Sequence, residues 1–144
     1  MDRTPVHELT PIDAAYIAGL IDGEGTITLT REHARENKRI VVSISNTEIA
    51  LLQFVLDSVG AGKITNKRTY SDKHTPSYAY KITNRQALTL LEQIAQYLRS
   101  YKRGRAELAL NTYISVTPRN GRYTSEQRIN REEFEKTFLA ITPG

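Results

Sequence analysis

Residues Tyr16 to Ile27 read YIAGLIDGEGTI. Together with Ala15 just before it, this stretch places small residues four apart, at Ala15, Gly19 and Gly23, a spacing that stacks them on one face of a helix. Asp22 and Glu24 put two acids at the end of that helix, and Thr26-Ile27-Thr28-Leu29-Thr30 then alternates as a half-buried strand does. A smooth helix face lets a second helix approach closely, which brings the acids at its far end near those of the partner. The stretch therefore predicts a helix pair with a two-fold metal site at one end.

Working outward, Thr10 is placed to cap this helix, Pro11 suits its first position and Asp13 its first turn; the helix is expected to run to about Gly23. Residues 1–9 read as a loosely held lead-in. Two strands are expected at 25–31 and 39–45, joined by the charged loop 32–38. In the first, Ile27 and Leu29 share one face and Thr26, Thr28 and Thr30 the other; in the second, Ile40, Val42 and Ile44 oppose Val41, Ser43 and Ser45. Each strand thus buries one face and presents a polar one.

Asn46-Thr47-Glu48 opens a second helix, with Ile49, Leu52, Val55, Leu56 and Val59 at helical spacing, and Gly60-Ala61-Gly62 ends it. A second strand pair is expected at 63–70 and 77–83, across the polar loop 71–76. A helix over 85–98 follows, in which Leu88, Leu91, Ile94, Ala95 and Leu98 are periodic. A basic break at 99–105 leads to a helix over 105–114, a turn at 118–121, and a last helix over 130–141 capped by Asn130. The order α-β-β-α-β-β-α with extra C-terminal helices predicts an α+β fold, with one antiparallel sheet, helices on one face and the other face open to solvent or a ligand. The αββ unit occurs twice, yet only the first copy carries the opening motif, so no sequence repeat supports duplication. The 144 residues are expected to form a single domain, with a core over 10–115 and a helical extension over 116–144.

Composition narrows the partners. There is no cysteine, which excludes disulfides and thiolate metal sites, and His7, His33 and His74 lie too far apart for a zinc motif. No apolar run approaches the roughly 18 residues of a membrane span and no signal peptide is visible, so no membrane partner is expected. A hydrophobic fraction of 39% and a charged fraction of 25% are ordinary for a globular protein. A net charge of +4 and a pI of about 9.4 suit an anionic partner, although many small enzymes are as basic.

The string Ile17-Ala18-Gly19-Leu20-Ile21-Asp22-Gly23-Glu24-Gly25 resembles the signature of the LAGLIDADG homing endonucleases almost position by position. The resemblance extends through the αββαββα order, over residues 12–115. One copy of the motif in a chain this short is similar to the members that work as homodimers; members with two copies are monomers with two pseudo-symmetric halves. The resemblance implies a site-specific endonuclease that hydrolyses both strands of double-stranded DNA with a divalent metal, at a long near-palindromic site, and leaves short 3′ overhangs. It also implies a role in spreading an intron or intein gene, wherever the host gene's DNA resides; with no flanking protein-splicing elements, the intron-encoded form is expected.

In that family the last acid of the motif binds metal beside the scissile phosphate. The matching residue is Glu24, one methylene longer than the more usual Asp, and the carbonyl of Gly23 before it also tends to ligate. Asp22 matches an earlier acid that serves helix-end structure more than metal. An acid at a helix C-terminus faces the unfavourable end of the dipole, which a nearby cation offsets; a solvated helix-end acid is the plain alternative. Oxygen donors of this kind suit Mg²⁺, with Mn²⁺ or Ca²⁺ able to take its place, and the metal supplies what phosphodiester hydrolysis needs in nucleophile and charge stabilisation. By the same resemblance Asn46 matches a polar residue that organises solvent, though a turn or N-cap role suits it equally. Lys102 matches a lysine near the active site, though the basic run 99–105 also suits generic phosphate binding. A second basic residue expected just after position 46 is replaced by Glu48. Ala15, Gly19 and Gly23 are expected to form the dimer seam.

The polar strand faces complete the reading. Thr28, Thr30, Arg31, Arg39, Val41 and Ser43 come from the first pair; Lys63, Thr65, Lys67, Thr69, Lys81 and Thr83 come from the second. A solvated sheet face would look similar, but DNA readers want this mixture of Arg and Lys with Ser and Thr. The loops add Arg35, Lys38, Arg68, Tyr70, Lys73 and His74, and the basic run adds Arg103 and Arg105. Strands of about nine residues span roughly 30 Å, on the order of nine base pairs per subunit and roughly twenty for a symmetric dimer. Two other readings stay open. The Glu at position 24 admits a non-cleaving relative, an RNA maturase or DNA-binding regulator. The helix pair also admits a structural dimer without chemistry.

Overall fold

Thr10 is extended and its side chain accepts the Asp13 N–H at 3.2 Å, and Pro11 follows as the first helical residue, so that α1 runs Pro11–Glu24 in the computed structural model. The structure describes residues 4–31, 33–66 and 75–144. The Gly25 N–H still bonds the Ile21 carbonyl, yet Gly25 is already the first residue of β1 (Gly25–Thr30). A Cβ at this position would lie 2.8 Å from the Ile21 Cα and 2.8 Å from the Ser43 carbonyl oxygen. Glycine is what lets the helix become a strand without a loop, and this junction ties the end of α1 to the sheet.

β1 pairs with β2 (Arg39–Asn46), which leads to α2 (Ile49–Val59), ended by Gly60 in the left-handed conformation at φ 75°. β3 (Lys63–Asn66) and β4 (Tyr78–Thr83) follow, and the four strands form one antiparallel sheet in the order β1-β2-β4-β3. α3 (Asn84–Ile94) ends in the 3₁₀ turn Ala95–Tyr97, α4 (Lys102–Thr112) in the 3₁₀ turn Ile114–Val116, and α5 (Ser125–Ala140) closes the chain. One face of the sheet packs against the helices. Ile27, Leu29, Ile40, Val42, Ile44, Tyr80 and Ile82 meet Ile17, Ala18 and Ile21 of α1, Leu52 and Val55 of α2, and Leu90, Leu91 and Ile94 of α3 in one buried cluster. The α+β architecture expected from the strand alternation is therefore present, with no described helix on the other sheet face.

Several expected boundaries move. α3 stops at Ile94 rather than 98, and α4 begins at Lys102 rather than 105, so the helix starts inside the basic run and Lys102 is buried. Ile49, at helical spacing with the apolar residues of α2, is 47% exposed. The last helix starts at Ser125, not at 130, and Asn130 lies within it. Thr124 and Gln127 form a reciprocal capping box there, satisfying two helix-end N–H groups at once, which a lone Asn cap cannot do. Phe134 and Phe138 of α5 are buried in the common core, so the C-terminal extension braces it. Among the described residues no helix is long and apolar enough to cross a membrane.

Candidate functional site

The C-terminal end of α1 gathers most of the polar chemistry. Asp22 turns its carboxylate onto the segment before α4, accepting the Arg99 N–H at 2.9 Å, the Ser100 N–H at 3.1 Å and the Ser100 hydroxyl at 2.5 Å. Burial pushes the Asp22 carboxyl up, but these hydrogen bonds, joined by the charge of Lys102, hold it below its ordinary value. Lys102 is only 7% exposed, and its ammonium donates to the Ile21 carbonyl at 2.8 Å and the Asp22 carbonyl at 2.9 Å. It thereby caps the negative end of a helix that has no basic residue in its own last turn. Burial lowers the Lys102 pKa, and the charge of Asp22 counters this in part. Asp22, Ser100 and Lys102 thus clasp α1 to α4 and set the direction in which the chain leaves the helix.

That direction presents Glu24 to solvent. Its carboxylate is exposed and has no hydrogen-bond or ion-pair partner among the described residues. Asn46 comes to the same end of the sheet, two residues beyond the Gly25–Ile44 pair. Its side chain accepts the Glu48 N–H at 2.7 Å, the turn role that the residue type also suggested. Glu24, Asn46 and Lys102 therefore converge at one end of the molecule, with Lys102 facing the α1 backbone rather than solvent. No cluster of three or more His, Cys, Asp or Glu exists among the described residues. One free carboxylate beside the exposed Gly23 is a hard oxygen donor set suited to a divalent cation, but incomplete within one chain.

The outward face of α1 is flat. Ala15, Gly19 and Gly23 are all exposed, and beyond the backbone of its own helix a Cβ built on Gly19 or Gly23 would meet no described residue within 4 Å. Ile12, 81% exposed, and Tyr16, 48% exposed, flank this stripe, and the Tyr16 ring stands edge-on to Phe54 of α2 with centroids 5.3 Å apart. The glycines therefore do not serve packing within the chain.

Strand register places Thr28, Thr30, Arg39, Val41, Ser43, Lys63, Thr65, Lys81 and Thr83 in phase on the uncovered sheet face. One row across it reads Thr26, Ser43, Lys81, Lys63, with the Thr26 and Ser43 hydroxyls 2.7 Å apart. Thr26 and Ser45 are in the same phase and belong with the set. Val41 departs from expectation: flanked by Thr28 and Thr83, it is 7% exposed and offers little surface to a ligand. Arg31 and Arg35 are exposed, and Lys38 is half-buried with its carbonyl bonded by Arg131. Arg103 is exposed and paired with Glu107 at 2.8 Å. Arg105 is a correction: its guanidinium donates to the Ile27 and Ile141 carbonyls and lies over the Tyr101 and Phe138 rings, on the helical side of the sheet. It braces α5 against β1. Lys67, Arg68, Thr69, Tyr70, Lys73 and His74 lie outside the described residues. Sequence reasoning missed Gly25, whose steric role is invisible without the facing strand, and Arg131, which reads as one more surface charge on an amphipathic helix.

The family model described as LAGLIDADG endonuclease matches residues 17–120. Among solved structures, the chain is similar to the homing endonuclease I-CvuI in complex with its target in the presence of 2 mM Ca, with a TM-score of 0.74 and 19% identity over 93% of this chain and 84% of that one. It is also similar to the group I intron-encoded homing endonuclease I-CeuI complexed with DNA, with a TM-score of 0.62 and 14% identity over 92% of this chain and 68% of that one. The meganuclease I-AabMI bound to uncleaved DNA aligns with a TM-score of 0.62 and 24% identity over 85% of this chain but 43% of that one. At these identities the likeness is one of fold. No curated protein matches the chain.

Proposed function

The chain belongs to the LAGLIDADG endonuclease family, and we propose that it acts as a homodimer, dependent on a divalent metal, cutting both strands of a long near-palindromic DNA site. The observation that carries this reading is the exposed small-residue face of α1 ending in the uncommitted carboxylate of Glu24. Two copies packed along Ala15, Gly19 and Gly23 would bring two such helix ends together, completing a donor set that one chain leaves partial. The match to little more than 40% of I-AabMI, against 84% of I-CvuI, agrees with this chain supplying one half of a two-fold assembly.

In this reading the Glu24 carboxylate and the Gly23 carbonyl would hold the metal, Mg²⁺ by preference. When bound, such a cation would supply water activation and charge stabilisation at the scissile phosphate. Lys102 contributes by fixing the end of α1 through the Ile21 and Asp22 carbonyls, so that Glu24 leaves the helix in one direction. The open sheet lies along the DNA, with the Thr, Ser and Lys row toward base edges and phosphates. β2, at 8 residues, spans about 26 Å, which shortens the expected footprint to roughly eight base pairs per subunit.

Glu24→Gln tests the assignment: selective binding of the target should persist while cleavage in Mg²⁺ disappears, and unchanged cleavage would falsify the metal role. Gly19→Leu should leave the fold intact, because beyond the backbone of its own helix no described residue lies within 4 Å of the added Cβ, and should convert a dimer to a monomer in sedimentation. The Glu at position 24 also favours a second reading, a nucleic-acid binder that has lost cutting. Incubating a library of sites with the protein and Mg²⁺ separates the two, since a pure binder retains sites selectively and yields no cut ends.

A further inference from the structure

The C-terminal helix does more than cover the core: it grips the start of β2. Arg131 is 1% exposed and its guanidinium donates to the Lys38 carbonyl, to the Thr117 hydroxyl at 2.6 Å and to Glu135 at 2.8 Å, while lying 4.9 Å from the Tyr113 ring centroid. One turn earlier, Arg128 donates to the Asn37 side-chain oxygen at 3.1 Å. The Tyr113 hydroxyl accepts the Ile40 N–H at 3.4 Å and donates to Asn84 at 3.0 Å, just where β4 has ended at Thr83. Three groups from one packed unit therefore hold Asn37, Lys38 and Ile40, the residues that bracket Lys38 and Arg39 at the entry to the open sheet face. Phe134 and Phe138 already bury one face of α5 in the core, so these contacts add a specific geometry at residues 37–40 to that anchoring. Desolvating an arginine is costly, and such groups are best understood where they impose one geometry.

We propose that Arg131 and Arg128 are positioning residues for DNA specificity: α5 sets the entry register of β2, and with it discrimination at the outer base pairs facing the β1–β2 connection. This rests on the reading of the open face as the DNA-contacting surface. Neither arginine touches DNA in this scheme; both act through the backbone and side chain of residues 37–40.

The test uses the full chain with Arg128→Ala, Asn37→Ala, Arg131→Met and Arg131→Lys. Amide hydrogen exchange is read at residues 37–40, and binding is read on target libraries with single changes at outer or inner positions. Arg128→Ala and Asn37→Ala alter exposed or half-buried groups and keep the test alive if the Arg131 variants do not fold. Faster exchange confined to 37–40, with about a tenfold loss of discrimination at outer positions alone, supports the proposal. Partial recovery in Arg131→Lys relative to Arg131→Met supports it as well. Unaltered exchange at 37–40, or an equal loss of affinity at every position, overturns it. A parent protein that binds no site selectively overturns the DNA reading and the specificity role with it, whereas exchange at 37–40 then still decides whether α5 orders this segment.

Discussion

Lys102 and Arg131 are the two basic side chains buried among the described residues, and they are accommodated in different ways. Lys102 meets no carboxylate at hydrogen-bond distance; its ammonium sits on two carbonyls at the negative end of α1, with Asp22 contributing through its charge. Arg131 has a full ion pair with Glu135, a backbone carbonyl, a hydroxyl and two aromatic rings. The difference follows from the groups that each site presents. At the end of α1 a compact ammonium offsets the helix dipole without engaging Glu24, which keeps no partner among the described residues. At the entry to β2, a planar guanidinium with five donors fixes several partners in one geometry.

The largest effect is expected at Arg131. Arg131→Met should lower stability by about 3 kcal/mol in urea denaturation, because the half-buried Glu135 and the Lys38 carbonyl lose the partner that the buried guanidinium supplied. A loss under about 1 kcal/mol would dissolve the contrast. Lys102→Met should cost about 2 kcal/mol, since the Asp22 carbonyl loses its donor beside the core and the Ile21 carbonyl keeps only the Gly25 N–H, and it should lower cleavage through the displaced end of α1. Equal destabilisation by the two changes would mean that the extra partners of Arg131 contribute nothing.

The pH dependence sharpens the comparison further. Asp22 is held below its ordinary 3.8, so the unfolded chain binds its proton first on acidification. The stability Asp22 contributes is full above 3.8 and is lost as pH falls through the lower native value. Asp22→Asn should flatten that acid decline. Lys102 is lowered from 10.5, so the native protein releases this proton before the unfolded chain does, and stability from this group rises with pH up to 10.5. Lys102→Met should remove that rise, and denaturation midpoints across both ranges check both signs. The smallest effect belongs to Thr124→Ala, which removes half of the capping box that starts α5 and should cost about 1 kcal/mol. A larger loss would show that the first turn of α5 helps carry the Arg128 and Arg131 contacts.

Much of the fold was legible because period and punctuation agreed along the chain. Thr10-Pro11 started α1, Gly60 ended α2, and Ile27, Leu29, Ile40, Val42 and Ile44 alternated into the core as expected. The errors fell where local signals competed. The polarity of residues 99–105 suggested a break, yet α4 starts inside it because Lys102 is held by a helix distant in sequence. Asn130 has the side chain of a cap, but the reciprocal pair Thr124 and Gln127, six and three residues upstream, is what starts the helix. At the site, the small-residue stripe and the pair of helix-end acids were visible from spacing, and the family resemblance singled out Glu24 between them, while Arg105 was assigned to DNA because a basic run does not reveal which of its members face inward.

The amino-acid sequence alone determined the main helices and strands, the inward phase of Ile27, Leu29, Ile40, Val42 and Ile44, and the motif that places the family, since these depend on periodicities of two and 3.6 residues and on side-chain chemistry at neighbouring positions. The tertiary structure decided which charges serve the surface and which the interior. Lys102, Arg105 and Arg131 share charge with Arg31 and Arg35, but their carbonyl partners lie between 36 and 93 residues away. Pairings across such separations depend on how the elements pack, and no local pattern encodes them.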